Sequence, residues 1–257
     1  MMNWARQIHL KSPNDLQKMR EAGRVNANVL ATVRELLKPG VSTADLNAAA
    51  EEVHKEHGCF SPFKGYGHPP FPASITVSIN DELVHGIPSK KRKLKAGDIV
   101  SIDCGTVLDG FVADSAFTAG VGEILPEAQS LLDVTKGALD AAIKKMRVGN
   151  RTGDVSAAIQ KYVESRGYYV TREYTGHGVG REMHEGPQVP NYGKEGTGMP
   201  LKVGMTIAIE PMVLVGTDET KVLSDNWTVV SANGLLTAHF EHSIAVTEGE
   251  PLILTVQ

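Results

Sequence analysis

An internal repeat is the feature of this sequence that most constrains its fold. The segment GVSTADLNAAAEEVHKEHG (residues 40–58) resembles GNRTGDVSAAIQKYVESRG (149–167), with both terminal glycines and a Thr-x-Asp motif aligned at one offset. Likewise LKAGDIVSID (94–103) resembles LKVGMTIAIE (201–210), and VADSAFTAGVGE resembles FEHSIAVTEGE when both are aligned on the Gly-Glu that follows. Each half therefore has the order helix, strand, carboxylate, strand, carboxylate, which predicts a duplicated α+β unit with a pseudo-twofold axis.

Capping residues and hydrophobic periodicity predict the elements that carry this repeat. A Ser-Pro pair is typical of a helix start, and Pro-Gly of a helix end. Short apolar runs bounded by turn residues predict strands. Helices are predicted from Ser12-Pro13 to Pro39-Gly40, from Ser42 to Gly58, from Pro126 to Met146 and from Thr152 to Gly167. Strands are predicted at ASITVSI, DIVSIDCG, GFVADSAFTAGVG and MTIAIEPMVLVG, and within NWTVVSANGLLTAHFEHSIAVTEGE.

The composition narrows the class of partner and compartment. A net charge of −4 gives no general reason to expect nucleic acid or an anionic membrane. The sequence has no apolar run of transmembrane length, and MMNWARQIHLKSPND lacks a signal-peptide core. Two cysteines imply no disulfide framework, so we expect a reducing, cytoplasmic setting. We also expect a monomer. The basic run from Lys90 to Lys95 predicts a solvated loop, with a transient ribosome or RNA contact as the alternative.

Four carboxylates occupy repeat-related positions among apolar residues. Asp103 and Glu210 end apolar strands, while Asp114 and Glu241 lie within apolar segments. A single such carboxylate is commonly a solvated turn residue or half of an ion pair. No Arg or Lys lies in these strand segments, and converging carboxylates are costly to bury unpaired. They therefore titrate, meet arginines from elsewhere or hold cations, and bridging carboxylates suit two divalent ions roughly 3.5–4 Å apart.

The stretch TGHGVGREMHEGP places two histidines, His177 and His184, in a glycine-rich segment. Their spacing is not the i, i+4 spacing of a helical zinc pair. Either histidine, taken alone, fits an ordinary surface or core position. Beside four carboxylates, a neutral imidazole from His177 would complete the coordination of one ion, with glycine allowing the backbone to pass close to the metals. His184 and His85 would then lie beside the ions without binding them.

Five motifs, in order, resemble those of the type I methionine aminopeptidases: HGIP, SIDCGTVLDGFVADSA, GHGVGREMHEGP, IAIEPM and FEHSIAV. The resemblance extends over about Ile8 to Leu254 and implies the pita-bread α/β fold, with two duplicated halves around a central antiparallel sheet. It implies a single catalytic domain over residues 1–257, with an N-terminal half of about 12–123 and a C-terminal half of about 124–254. It also implies two divalent metal ions, and the donor set leaves Co, Mn, Fe and Zn open.

The same resemblance assigns the ligands and implies the activity. Asp103 would bind one ion, Asp114 and Glu241 would bridge both, and His177 and Glu210 would complete the other. The implied reaction is removal of the initiator methionine from nascent polypeptides when the second residue is small. The ions would activate water and polarise the scissile carbonyl.

Further roles follow from the resemblance for residues beside the metals. Glu210 would take and return a proton. His184 would donate a hydrogen bond to the oxygen that gains charge, and His85 would contact the amide nitrogen of the cleaved bond. The residues expected to line the methionine pocket are Phe71, Thr76, Met183 and Trp227, and each would otherwise be assigned to the core. Several family members have Cys at the position of Thr76 and often Phe at that of Met183, which leaves the polarity of this pocket open.

Three alternatives remain at this point. The first is a fold-related X-Pro aminopeptidase, which usually has a separate N-terminal domain. The second is a relative that has lost its metals and only binds peptides or nucleic acid. The third is a creatinase-like amidinohydrolase, which lacks the carboxylate set. The presence of all five expected ligands favours the methionine aminopeptidase interpretation.

Overall fold

A computed structural model describes residues 8–257 of the chain. Residues 1–7, which include half of the segment predicted to lack a signal peptide, lie outside the described residues. Within the described range, the helices are α1 (Pro13–Glu35), α2 (Thr43–Glu56), α3 (Pro126–Ile143) and α4 (Thr152–Glu164). None of these helices is long and apolar enough to cross a membrane.

Fourteen strands lie within the same range, and six of them, at residues 82–84, 169–170, 175–178, 185–190, 220–222 and 252–253, fall outside the predicted segments. The fourteen strands are β1 (Ile75–Ile79), β2 (Glu82–Val84), β3 (Ile99–Leu108), β4 (Phe111–Gly120), β5 (Tyr169–Val170), β6 (Thr175–Gly178), β7 (Glu185–Pro190), β8 (Thr206–Ile209), β9 (Met212–Leu214), β10 (Thr220–Val222), β11 (Val229–Ser231), β12 (Thr237–His239), β13 (Glu241–Ala245) and β14 (Leu252–Ile253). The run MTIAIEPMVLVG, predicted as one strand, forms two, β8 and β9. Pro211 interrupts it, because proline has no N–H to donate to a strand neighbour.

The Thr-x-Asp motif of the repeat marks the start of a helix in each half. The Asp45 carboxylate accepts a hydrogen bond of 3.0 Å from the backbone N–H of Ser42 at the start of α2. At the start of α4, the Asp154 carboxylate accepts an equivalent bond of 2.7 Å from the backbone N–H of Arg151. Each aspartate thus satisfies a donor that the helix leaves unpaired. This part of the sequence repeat therefore reflects helix capping.

The main sheet is antiparallel, and its strands are ordered β1-β3-β4-β13-β8-β6-β7, with β14 paired to β13. Strands from the first half of the chain lie on one side of the sheet and strands from the second half on the other. They meet where β4 pairs with β13. Two smaller sheets have the orders β10-β11-β2 and β12-β9-β5.

All four helices lie against one face of the main sheet or against each other. Helix α1 packs on β3 and β4, α2 contacts α1 and β1, and α3 contacts β4, β8 and α4. The strand residues buried in these layers alternate along each strand and include Val100, Ile102, Cys104, Phe117, Ile207, Ile209 and Ile244. Because successive strand residues point to opposite faces, the residues between them point away from the helices. That second face carries the polar residues described next.

Candidate metal centre and active site

Three of the four carboxylates are brought together by strand register. Thr76 on β1 pairs with Asp103 on β3, Asp103 with Ala116 on β4, and Ala116 with Glu241 on β13. These four residues form one cross-strand row, and Asp114 points to the same face two residues before Ala116. The small Ala116 side chain leaves room between the carboxylates that flank it. Residues from positions 76 to 241 of the chain therefore meet on one face of the sheet.

The next strands add a histidine and the fourth carboxylate. On β13, Ser243 follows Glu241 by two residues and pairs with Ala208 on β8, which in turn pairs with His177 on β6. Alternation puts His177 on the same face, and Glu210, just beyond the end of β8, lies two residues after Ala208. The His177 Nε2 atom is 3.5 Å from Glu210 Oε1. All five predicted metal ligands line one cavity.

Glycine is needed around His177 for a reason other than the expected approach of a metal ion. A Cβ added to Gly176 would lie 2.6 Å from the carbonyl oxygen of Ala208 on the neighbouring strand. One added to Gly178 would lie 2.1 Å from the carbonyl oxygen of Gly186. Both contacts are with backbone that cannot move aside easily. The glycines therefore let β6 pack closely between its neighbours, which fixes the position of the His177 ring.

The donor atoms at the centre of this face fit a cation. Asp114, His177 and Glu241 each offer one ligand atom, and these three atoms lie within 4.8 Å of one another. Asp103 Oδ1, Asp114 Oδ1 and Glu241 Oε1 are buried and have no hydrogen-bond partner among residues 8–257. The Nδ1 atom of His177 lies 3.0 Å from the Gly178 carbonyl oxygen. Because a carbonyl only accepts, Nδ1 carries the proton, and Nε2 is left with the lone pair that a metal ligand needs.

Charge repulsion within the cluster supports the same conclusion. Burial raises the pKa of Asp103 to about 7. The pKa values of Asp114, Glu210 and Glu241 are raised well above their ordinary range, first by burial and then by the neighbouring carboxylates. Within the described part of the chain, no arginine or lysine lines this cavity. Since these groups are poorly stable together as anions without a counter-charge, the residues present fit divalent cations.

Two further histidines, His85 and His184, line the same cavity. The His184 ring centroid is 4.3 Å from that of His177, and the His184 Nδ1 atom is hydrogen-bonded to the Tyr66 hydroxyl at 2.9 Å. Burial lowers the pKa of His184 to about 3, with His177 and His85 as smaller causes. Burial also lowers the pKa of His85 to about 4. Both rings are therefore neutral near pH 7, so each can donate a hydrogen bond from one nitrogen only.

An apolar pocket opens beside the metal ligands within the same cavity of about 250 Å³. The Phe71 and Trp227 rings meet edge to face with centroids 5.2 Å apart, and Met183 packs against the same apolar cluster. Thr76 lines the cavity from β1. This volume, which the metal ligands and the apolar residues share, is below the roughly 300–1,000 Å³ typical of pockets for drug-sized ligands. The structure thus brings together all eleven residues predicted for the site; their individual roles remain predictions.

Three contributors to the site were not predicted from the sequence. His239 is 2 % exposed, lines the cavity and lies 3.7 Å from Glu241. Tyr66 comes from an irregular loop with no periodic pattern. Lys11 forms a buried ion pair with Glu185, the residue after His184. The His-x-Glu spacing in AHFEH could have indicated His239, because alternate residues of an extended segment share a face.

Comparison with known proteins agrees with this site. Residues 17–248 match the family described as metallopeptidase family M24. The methionine aminopeptidase of Clostridium acetobutylicum is 49 % identical over 249 residues, which cover 97 % of this chain and 99 % of that protein. The crystal structure of a methionine aminopeptidase from Thermotoga maritima superposes with a TM-score of 0.95 at 45 % identity, covering 97 % of this chain and 100 % of that one.

A solved structure with lower sequence identity supports the fold but not the function. The prolidase of Pyrococcus furiosus superposes with a TM-score of 0.77 at 20 % identity, and the match covers 96 % of this chain but only 65 % of that one. This likeness confirms the pita-bread fold and says nothing about the substrate. The high identity over nearly full length lies with the methionine aminopeptidases. The chain therefore belongs to metallopeptidase family M24, and within it to the methionine aminopeptidases.

Proposed function

We propose that this chain hydrolyses the peptide bond after an N-terminal methionine, on polypeptides whose second residue is small. One observation carries the proposal: the carboxylate and histidine cluster and an apolar pocket for one side chain share a single cavity. The pocket would hold the methionine side chain, and its scissile bond would then lie at the cluster. The alternative of a metal-free binding protein leaves four clustered carboxylates without any compensating charge.

The residues that would hold two divalent ions are Asp103, Asp114, His177, Glu210 and Glu241. Asp114 and Glu241 are central and buried, so they suit the bridging positions, whereas Asp103 and Glu210 are partly exposed to the cavity. When bound, such ions lower the pKa of water and polarise the substrate carbonyl. The number of ions and their identity are part of the proposal. Oxygen and nitrogen donors are compatible with Mn, Fe, Co and Zn.

The side chains around the scissile bond supply proton transfer and hydrogen bonds. Glu210 is 13 % exposed, so one carboxylate oxygen can receive a proton from water and return it to the leaving amine. Neutral His184 would donate a hydrogen bond to the carbonyl oxygen as it gains charge. Its Nδ1 atom is hydrogen-bonded to the Tyr66 hydroxyl, so a neutral ring that donates to the substrate would do so from Nε2. His85, whose ring lies 6.0 Å from that of Trp227, would contact the nitrogen of the cleaved bond.

The pocket predicts the order of substrates. We expect rapid cleavage when the second residue is Gly, Ala, Ser, Thr, Pro or Val, and very little when it is Leu, Lys, Asn or Met. His85 and the metal centre leave little room beyond the first residue. An apolar pocket separates side chains that differ by one methylene by only about 1–3 kcal/mol. Leu or norleucine in first position should therefore react slowly, and a charged first residue should not react.

Turnover of Met-Ala-Ser and Met-Pro peptides after chelation, followed by restoration with one metal at a time, tests the function. Asp114→Asn and Glu241→Gln should each abolish turnover and most metal binding, measured by inductively coupled plasma analysis. Asp109→Asn, which alters an exposed carboxylate in the turn between β3 and β4, is the matched control and should change neither. Full turnover by the chelated protein, or undiminished metal in an active Asp114 variant, would contradict the proposal.

The substrates we propose in the cell are the N-termini of nascent polypeptides. The basic run is exposed at its lysines, while Arg92 pairs with Glu82 and Leu94 is buried. The lysines remain available for a transient ribosome contact, which is a prediction, as are a monomeric state and a cytoplasmic location.

A further inference from the structure

His239 is a buried histidine to which the proposed reaction gives no role. It is the last residue of β12, it is 2 % exposed, and it lines the cavity. Its backbone is held at both ends by one side chain. The Thr118 hydroxyl oxygen accepts a hydrogen bond of 2.9 Å from the His239 N–H, and the same hydroxyl donates one of 2.8 Å to the His239 carbonyl. The direction in which the ring leaves the strand is therefore fixed.

The ring points between two of the proposed metal ligands. His239 Nε2 lies 3.7 Å from Glu241 Oε2 and 3.9 Å from Glu210 Oε2, slightly longer than a hydrogen bond. This nitrogen is buried and has no hydrogen-bond partner among residues 8–257. Buried polar atoms are rarely left in this state, so a partner is expected in the working protein.

The two oxygens of each glutamate face different neighbours. Glu210 Oε1 faces His177 Nε2 at 3.5 Å, and its Oε2 faces His239. Glu241 Oε1 is buried without a hydrogen-bond partner in the described part of the chain, and its Oε2 faces His239. Each carboxylate thus presents one oxygen to the same imidazole, while its other oxygen, which faces His177 in Glu210 and has no partner among residues 8–257 in Glu241, remains for an ion. This arrangement is typical of a group that orients metal ligands without binding the metal, because ligating carboxylates commonly accept hydrogen bonds from such groups.

We propose that His239 is a positioning residue of the metal centre, which donates Nε2–H to the Oε2 atoms of Glu210 and Glu241 and so holds both carboxylates for the ions. The inference rests on the proposed metal-dependent function. It does not make His239 a ligand. A neutral ring with its proton on Nε2 has no lone pair there to offer an ion, and the proton is what the two carboxylate oxygens need.

Titration of the metal-free protein with Mn²⁺, followed by calorimetry, measures this role without reference to activity. His239→Leu should weaken Mn²⁺ binding by about 10–100-fold, the usual cost of losing a group that orients a metal ligand. His239→Gln should bind within about 3-fold of the unsubstituted chain, because its amide retains an N–H donor. His9→Leu, the same change at an exposed histidine, is the control and should have no effect. If the leucine variant does not fold, His239→Asn, whose shorter side chain withdraws the donor, replaces it.

Visible absorption of the Co²⁺-loaded protein distinguishes a residue that binds the metal from one that only orients the metal ligands. The visible bands should have the same intensity in His239→Gln as in the unsubstituted chain, because the number of ligands is unchanged. A change in band intensity would mean that the number of ligands had changed, which would make His239 a ligand and overturn the inference, as would unchanged Mn²⁺ affinity in His239→Leu. If the unsubstituted chain bound no metal at all, the proposed function itself would fail, and the two failures are therefore distinguishable.

Discussion

Removing one carboxylate from the cluster should stabilise the metal-free protein, although it damages the site. Burial raises the pKa of Asp103 from 3.8 to about 7 in the folded chain. Because the folded-state pKa is raised, the folded state is favoured below pH 3.8, and that advantage is lost as pH rises through 7. At about 1.4 kcal/mol per pKa unit, the ionised carboxylate destabilises the folded state by up to roughly 4 kcal/mol at pH 8.

The Asp103→Asn substitution tests this destabilisation. Thermal unfolding of the variant is measured in the presence of a chelator at pH 8 and at pH 5. The substituted side chain cannot ionise, and its amide can donate to the neighbouring Asp114 carboxylate. Asp103 is partly exposed to the cavity, so solvent screening should leave only part of the full value. For a chain of this size, Tm should rise by about 2–4 °C per kcal/mol at pH 8, and by less at pH 5.

Metal should reverse the order of stability. A ligand that binds only the folded state adds about 2.7 kcal/mol when its concentration is 100 times its Kd. The unsubstituted chain should gain this stability with Mn²⁺ or Co²⁺, whereas Asp103→Asn should gain much less. Asp109→Asn, an exposed carboxylate, should stay within about 0.5 kcal/mol of the unsubstituted chain in both conditions. A chelated Asp103→Asn protein that is no more stable than the unsubstituted chain at pH 8 would refute the idea that burial of the ionised Asp103 carboxylate destabilises the folded chain.

Four further outcomes are expected. His184→Ala should keep its metal, assayed by plasma analysis, and lose about 10²–10³-fold in kcat; loss of an ion would mean that His184 is a ligand. Tyr66→Phe removes the 2.9 Å bond to His184 and should lower kcat up to about tenfold with unchanged metal affinity. Lys11→Met should cost about 3–5 kcal/mol in denaturant unfolding by leaving the buried Glu185 carboxylate without its cation, and Glu185→Gln in the same chain should restore part of it. Burial lowers the pKa of His54 below 6.5, so its contribution to stability is present above pH 6.5 and lost below it; His54→Gln should flatten that pH dependence, and an unchanged profile would contradict it.

The carboxylates could be predicted because they occupy repeat-related positions among apolar residues. Asp103 and Glu241 both pair with Ala116, and such register follows when each strand must turn its apolar side chains toward helices. The repeat then indicated which strands correspond, so the four carboxylates were expected to converge. His177 was proposed from donor chemistry and from the family resemblance, and the structure adds that its glycine-rich segment belongs to the same sheet.

Contacts that depend on loops or on distant segments could not be predicted in this way. Tyr66 reaches His184 from an irregular segment, where no periodicity sets the direction of a side chain. Lys11 and Glu185 are 174 positions apart, and nothing in either local sequence indicates the other. The break between β8 and β9 depends on Pro211, which the apolar pattern of the run obscured. Periodicity therefore predicts which face a residue occupies, whereas folding decides what else reaches that face.

The two halves of the molecule contribute equally to the negative charge of the ligand cluster but unequally to its chemistry. Each half supplies two carboxylates, Asp103 and Asp114 from the first and Glu210 and Glu241 from the second, so neither half alone holds the whole donor set. The imidazole expected to bind metal comes only from the second half. A symmetrical arrangement of four anions would hold cations but could not orient a substrate. The groups that orient the substrate must therefore be ones without a repeat partner in the site. These are His177 and the loops that form the apolar pocket. They make one side of the metal centre different from the other, and a single N-terminal residue can bind on that side.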